Sequence, residues 1–583
     1  MNKNIFKTIT VMLSAMMCLT AAAQNLDPTV EVNRAYEGKL LEIYKPSLNM
    51  AVPDTVRQFD LDFDYSVFDS PYKGSYEFKP YELLMKPFSV ERNMPSFWLK
   101  AGAGYTLHPD VELVWTPVRK NRFTMSVYGD YDAYFGAYRT FKPENVADGV
   151  LKLNRWSKGN GETSLWNGYQ MKSDAGIQGQ YDWKMGYASF DLGYVGVASK
   201  DTLKSRSLNG FDINLNVASK PSGDTYFHYD IDVDYNMAFD KLMFEARNAA
   251  LVEHNFDFNA NVGTVIAKSH HLLFDLGMQT VAYSGDMLGV ANELSITPHY
   301  MMNKGRWHVD LGLKVAKIIR PEKSEYYSLK DQVVYPDVAV KFSAIEDALV
   351  IYANVGGGNV LNTYTSMVSR NPYVDTDFGR GLPMLDTSVE RVSVCLGFDG
   401  RISKRFMYDI HAGYSNMNNG LLDAVAVKSV YLPAIGYASY QKLYAGLDWN
   451  WYAESFTFKG GIEYAGYTAD KKVDVAEGAD TAEDVAVLMP ASFTGKAVAE
   501  YNWNRRVVAG VDCAFSSARK GSLVDTEVIV PGFADLGVYA EYAANNKLSF
   551  WLRGGNLMNM TVQYSPLYAE KGISFTGGIC LKL

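Results

Sequence analysis

Phe227, Tyr229, Ile231, Val233 and Tyr235 alternate with His228, Asp230, Asp232, Asp234 and Asn236. A period of two with rings and branched chains on one side and acids on the other is an extended strand whose two faces meet different surroundings. The same rhythm returns in Phe211, Leu215 and Val217 against Asp212, Asn214 and Asn216, and in Phe256, Phe258 and Val262 against Asp257, Asn259 and Asn261. It returns again in the final stretch, where Ile573, Phe575, Gly577, Ile579, Leu581 and Leu583 share a face. A carboxylate facing hydrocarbon is costly, so in a membrane wall the acidic rows must look inward and the apolar rows outward.

From Phe97 to the end the rhythm is unbroken, with strand-like runs joined alternately by tight turns and longer connections. Tight turns are expected around Lys120-Asn121, Asp182-Trp183, Lys220 to Asp224, Lys268-Ser269 and Asn303 to Gly305. Others fall at Glu346-Asp347, Arg401 to Lys404, Ala453-Glu454, Asn504-Arg505 and Asn545-Asn546. Long connections lie near 136–162, 320–330, 357–388, 417–436, 469–491 and 518–532, with 420–430 open as an extra strand or a loop hairpin. Short turns on one side and long loops on the other is the outer-membrane pattern, with the short turns periplasmic. The spacing predicts about 22 strands, an even number that leaves both barrel ends on the periplasmic side. The expected fold is therefore all-β: one large antiparallel transmembrane barrel over 96–583. A soluble sandwich of so many strands without a domain break would be unusual.

What precedes the barrel differs. Lys3 and Lys7, the apolar run Ile9 to Leu19 and the small residues Ala21-Ala22-Ala23 read as a secretory signal peptide, residues 1–23. Residues 24–95 are interrupted by Pro46, Pro53, Pro71, Pro80, Pro87 and Pro95, too often for long strands. They are expected to form a short extended segment that lies in the periplasm or fills the lumen. Composition agrees with a barrel: 40 Tyr and 29 Phe suit aromatic girdles at two interfaces, and 48 Gly allow close strand packing.

The candidate functional feature is an acidic lumen patch of Asp212, Asp230, Asp232, Asp234, Asp257 and Asp275, because carboxylates lining a pore attract cations. The plainer alternative is an ordinary polar barrel interior. No cofactor or metal is expected: the mature cysteines Cys395, Cys513 and Cys580 lie far apart, and His270-His271 would point to opposite strand faces. Gly356-Gly357-Gly358-Asn359 lacks the Lys of a phosphate loop, and the acidic loop Asp470 to Asp484 lacks calcium-loop spacing. No Gly-x-Ser-x-Gly elbow occurs, so no catalytic residue is assigned and an enzyme is not expected. The net charge of -9 argues against nucleic acid.

The C-terminal hundred residues resemble the barrel end of TonB-dependent receptors. The resemblance rests on Asp535-Leu536-Gly537-Val538 with Tyr542, Leu548 to Leu552, Gly555-Asn556-Leu557-Met558-Asn559 and Gly572 to Leu583. It implies a barrel of 22 strands in the outer membrane. Departures accompany it: Leu583 replaces the usual terminal aromatic, no TonB box stands out, and only some 70 residues after the signal precede the first strand. Val32-Asn33-Arg34-Ala35-Tyr36-Glu37 and Pro53-Asp54-Thr55 resemble plugless receptor-like barrels of Bacteroidota. The function this implies is passage of solute or macromolecule across the outer membrane; the alternative is a structural or assembly subunit that docks envelope partners. An unfilled barrel of this size would leave a wide hole. Residues 24–95, inward-folded loops such as 357–388, or a periplasmic or surface protein partner must close it, with outer-membrane lipid around the wall.

Overall fold

The computed structural model describes residues 96–583 apart from 106, 140, 156–164, 202–203, 221–226, 245–246, 268, 286–288, 320–332, 347, 375–386, 428–430, 470–484 and 524–525. The expected signal peptide 1–23, the segment 24–95 and the acidic loop 470–484 lie outside the described residues.

Twenty-two antiparallel strands close into a barrel. Closure joins the first described strand, Phe97–Gly104, to the last, Ser574–Lys582, with Trp98 opposite Lys582 and Gly104 opposite Thr576. Phe97 donates its N–H to the Leu583 carbonyl at 3.0 Å and accepts one back at 2.8 Å. The seam is tight enough to require glycine: a Cβ on Gly578 would stand 2.0 Å from the Ala101 carbonyl oxygen.

Alternation sets the faces. Phe211, Ile213, Leu215 and Val217 are exposed on the outer wall, as are Leu276, Leu311 and Leu443. Near the short turns the outer wall carries Tyr181, Trp307, Trp451, Tyr501, Trp503 and Tyr542, all exposed, as an aromatic girdle at the periplasmic interface. Burying polar backbone in hydrocarbon is tolerable only with every strand edge paired, which closure achieves.

The long connections do more than expected. Five short strands lie within them: Phe141–Ala147, Val150–Arg155, Val485–Leu488, Arg519–Ser522 and Glu527–Val530. With the outer part of the hairpin Phe406–Val427 and Tyr431–Tyr452 they build a cap sheet above the barrel mouth. Those two hairpin strands run 22 residues each, about twice what a membrane crossing needs. Residues 420–427 are thus a continuation of a wall strand. The register shifts between Met417 and Gly420, where Asn419 takes φ 55°. Both faces of the cap sheet pack. Val425, Ala486 and Leu488 meet Leu151, Leu153, Val528 and Val530, while Val487 meets Leu422, Ala424 and Tyr440.

Candidate functional site

All six predicted aspartates fall on one inner face of four consecutive strands, Lys204–Ser219, Phe227–Phe244, Arg247–Ala267 and His270–Gly285. Asparagines alternate with them across the strands. Asn216 donates to Asp230 at 2.8 Å, Asn214 to Asp232 at 2.9 Å and also to Asp234, and Asn236 to Asp212. Asn259 donates to Asp257 at 2.7 Å, and Asn261 to Asp275. Asp234 and Asp257 stand directly opposite each other, a like-charge pair that destabilises a sheet unless counter-charge or water relieves it. His299 Nε2 lies 2.6 Å from Asp275 and 3.7 Å from Asp337, and its Nδ1 lies 3.1 Å from Asp310.

The sequence reading missed two members of the patch. Asp191 faces Asn214 across the sheet and accepts from the Tyr128 hydroxyl at 2.9 Å. Asp174 stands on the neighbouring strand Leu165–Trp183. Their strands alternate too, but small residues interrupt both rows: Gly176 and Gly193 share the inner face with the acids, while Ser173, Ala175, Gly179, Ala188 and Gly196 face out, and that blurs the period.

Follow the same inner faces toward the long-loop end and the chemistry changes. Arg206, Asp240, Glu253 and Tyr283 share strand parity with the aspartates, and all four are buried. They hold a segment of the connection after Leu349–Val360 that folds into the barrel. This segment includes a helix, α1 (Tyr364–Arg370), capped by Thr363, whose Oγ1 accepts the Ser366 N–H at 3.2 Å. The Glu253 carboxylate accepts the N–H of Tyr364 and, at 3.2 Å, that of Thr365, two amides that the first helical turn leaves without a partner of its own. Arg206 donates to Asp240 at 3.1 Å, to the Tyr364 hydroxyl at 3.0 Å and to the Pro372 carbonyl at 2.8 Å. Tyr364 in turn donates to Asp240 at 2.6 Å. Tyr364, Met367, Val368 and Val374 pack on Leu208, Ala238, Leu251 and Val281 of the wall. Arg206 lies six residues from Asp212 and Glu253 four from Asp257, so these holding residues stand about 13–20 Å outward of the nearest aspartates of the patch.

A second contact layer ties this segment to the other loops. Tyr373 stacks on Tyr568, centroids 3.8 Å apart and rings 3° from parallel, and Tyr568 donates to Asp201. Asp423, on the protruding hairpin, meets Arg519 at 3.1 Å and Arg370 at 3.6 Å. Arg519 also donates to the carbonyls of Gln563 and Tyr564, both at 3.0 Å. Burial, reinforced by Glu570, pushes the Tyr373 hydroxyl well above the ordinary tyrosine range. Burial also lowers the Arg519 guanidinium, against the opposing pull of Asp423.

The described residues hold no cluster of three or more His, Cys, Asp or Glu suited to a metal ion. Cys395, Cys513 and Cys580 are separate free thiols in the wall. His270 stacks beside Tyr300, whereas His271 is buried on the other face.

No protein-family model matches the chain, and no curated protein matches it. Solved structures do. The FrpB iron transporter from Neisseria meningitidis superposes with TM-score 0.62 at 9% identity, over 85% of this chain and 82% of that one. The copper transporter OprC gives 0.58 at 9%, over 84% and 80%. The siderophore receptor PirA from Acinetobacter baumannii gives 0.56 at 9%, again over 84% and 80%. In fold, the barrel is TonB-receptor-like. At such identities the likeness carries the fold, and with the closed wall and its apolar outer face it places the chain in the cell outer membrane.

Proposed function

We propose that this barrel passes a solute across the outer membrane through an acid-lined lumen that the inward-folded segment 361–374 closes at the outer end, without a full plug. The observation that carries the reading is the division of one inner wall into two zones. The periplasmic half presents carboxylates to the lumen, and the outer half is built to hold a piece of loop. A wall serving only as a scaffold has no need of eight inward acids on adjacent strands. Carboxylates lining a water-filled path favour cationic solutes by simple field effects. The iron, copper and siderophore proteins that share the fold are consistent with a transport role. Gating by residues 24–95 or by a partner belongs to this reading as well.

The test is conductance in a planar bilayer for the mature protein, for a form lacking residues 24–95, and for that form carrying Arg206→Ala. Cation-selective conductance that grows along this series is expected. Silence in all three would overturn the transport reading and favour the assembly role.

A further inference from the structure

The periplasmic edge carries a charge pattern that transport does not use. The chain as a whole bears -9. Yet the described turns joining wall strands on this edge hold nine Lys and Arg against only Glu346 and Glu454. Arg122, Lys184, Arg306, Arg405, Arg505 and Arg506 are all exposed there.

In one sector of that edge the outer wall is also grooved. A groove of about 510 Å³ is lined by Phe406, Leu447, Trp449, Trp451 and Phe458. Its neighbour, of about 490 Å³, is lined in part by Phe456, Ala499, Tyr501, Ala509, Val511 and Ala540. The strand Phe456–Ala469 contributes to both, so the two run side by side on the wall. Their depth has a local cause. The Trp449 ring lies across Gly460, where a Cβ would stand 2.4 Å from it, and alanines floor the second groove between larger rings. Arg405 directly precedes Phe406 of the first groove, and Arg505 and Arg506 lie in the turn between Tyr501 and Ala509 of the second. Glu454 sits between them, paired with Arg405 at 3.8 Å with both side chains largely in solvent, a contact that holds little.

We propose that this sector is a binding site for an anionic phospholipid of the periplasmic leaflet, its acyl chains in the two grooves and its phosphate on Arg405, Arg505 and Arg506. Two adjoining apolar channels match the two chains of one glycerophospholipid. Guanidinium groups pair with phosphate oxygens through two parallel hydrogen bonds, which a lysine cannot imitate. A zwitterionic headgroup brings its own ammonium into the same cationic cluster, so the site should discriminate against it.

The test uses the full chain purified in mild detergent and mixed with phosphatidylglycerol or with phosphatidylcholine of the same acyl composition. Retained lipid is counted by native mass spectrometry. Phosphatidylglycerol should be retained in clear preference. The triple variant R405Q/R505Q/R506Q should lose that retention roughly hundredfold, as three surface arginines each add attraction to an anionic lipid. K120Q/R122Q/K184Q removes the same charge from another sector of the edge and should retain the lipid. Ala509→Trp fills a groove without touching charge and should release it, which keeps the proposal testable if the triple variant does not fold. Equal retention of both lipids, equal loss in the two triple variants, unchanged retention in Ala509→Trp, or a co-purifying protein in place of lipid would each overturn the site.

Discussion

Arg206 shows what a single side chain does in this lumen. Its guanidinium serves Asp240, Tyr364 and the Pro372 carbonyl at once, with under 2% of its side chain exposed. Removing one partner of a buried ion pair leaves the other charge uncompensated, at a cost of about 3–5 kcal/mol. Arg206→Ala should therefore free the segment 361–374. Tyr364→Phe, which deletes one hydroxyl, should weaken docking by about 1–3 kcal/mol. Limited proteolysis within 361–374, with the barrel itself intact, reads both. Tyr373 adds a pH dependence with a definite sign. Its hydroxyl is raised in the docked state, so its share of the docking energy is full below pH 10.0 and fades as the pH climbs through the higher docked value. Tyr373→Phe should carry the docked state further into alkali, measured as proteolytic protection across the alkaline range. The sequence reading named the connection 357–388 as one that could fold inward but assigned no residue to hold it. Arg206, Asp240 and Glu253 are ordinary polar positions of alternating strands, and the segment they hold lies more than a hundred residues away.

At the level of the element, the strands were legible and the cap sheet was not. Wall strands repeat a two-residue period over eight or more positions, and the ten predicted tight turns fall within a residue or two of the ends of wall strands. Val485–Leu488, Arg519–Ser522 and Glu527–Val530 span four residues each, too few for a period to register. They pair with one another and with Val150–Arg155 and the long hairpin only because the barrel brings the loops together. The six aspartates were legible for the opposite reason, since an acid every second residue has only one place to go in a membrane wall. The acidic rows carry a separate prediction for transport. Converting Asp230, Asp232 and Asp234 to Asn keeps shape and hydrogen-bonding capacity while removing three charges. The ratio of cation to anion permeability in a bilayer should fall severalfold, and the heat-modifiable gel migration of a folded barrel should persist.

For the whole molecule, the decisive contact is the seam. Gly578 has no room for a side chain against Ala101, so Gly578→Val should prevent closure. The expected outcome is loss of the folded, heat-modifiable band rather than a folded barrel with altered gating. The same seam has a kinetic consequence. Every other wall pairing joins strands neighbouring or nearly neighbouring in sequence, formed by closing a short turn or a single loop. The seam brings together residues as far as 487 apart. Bringing distant segments together carries the largest chain-entropy cost, and that cost must be met before the contact returns any stability. The ring therefore zips up from its local hairpins, and its final step is a single meeting of two edges. Until then both edges expose unpaired backbone to lipid or to any other strand nearby. A slow phase of assembly, and a window in which this chain is open to mispairing, are therefore expected at those two edge strands.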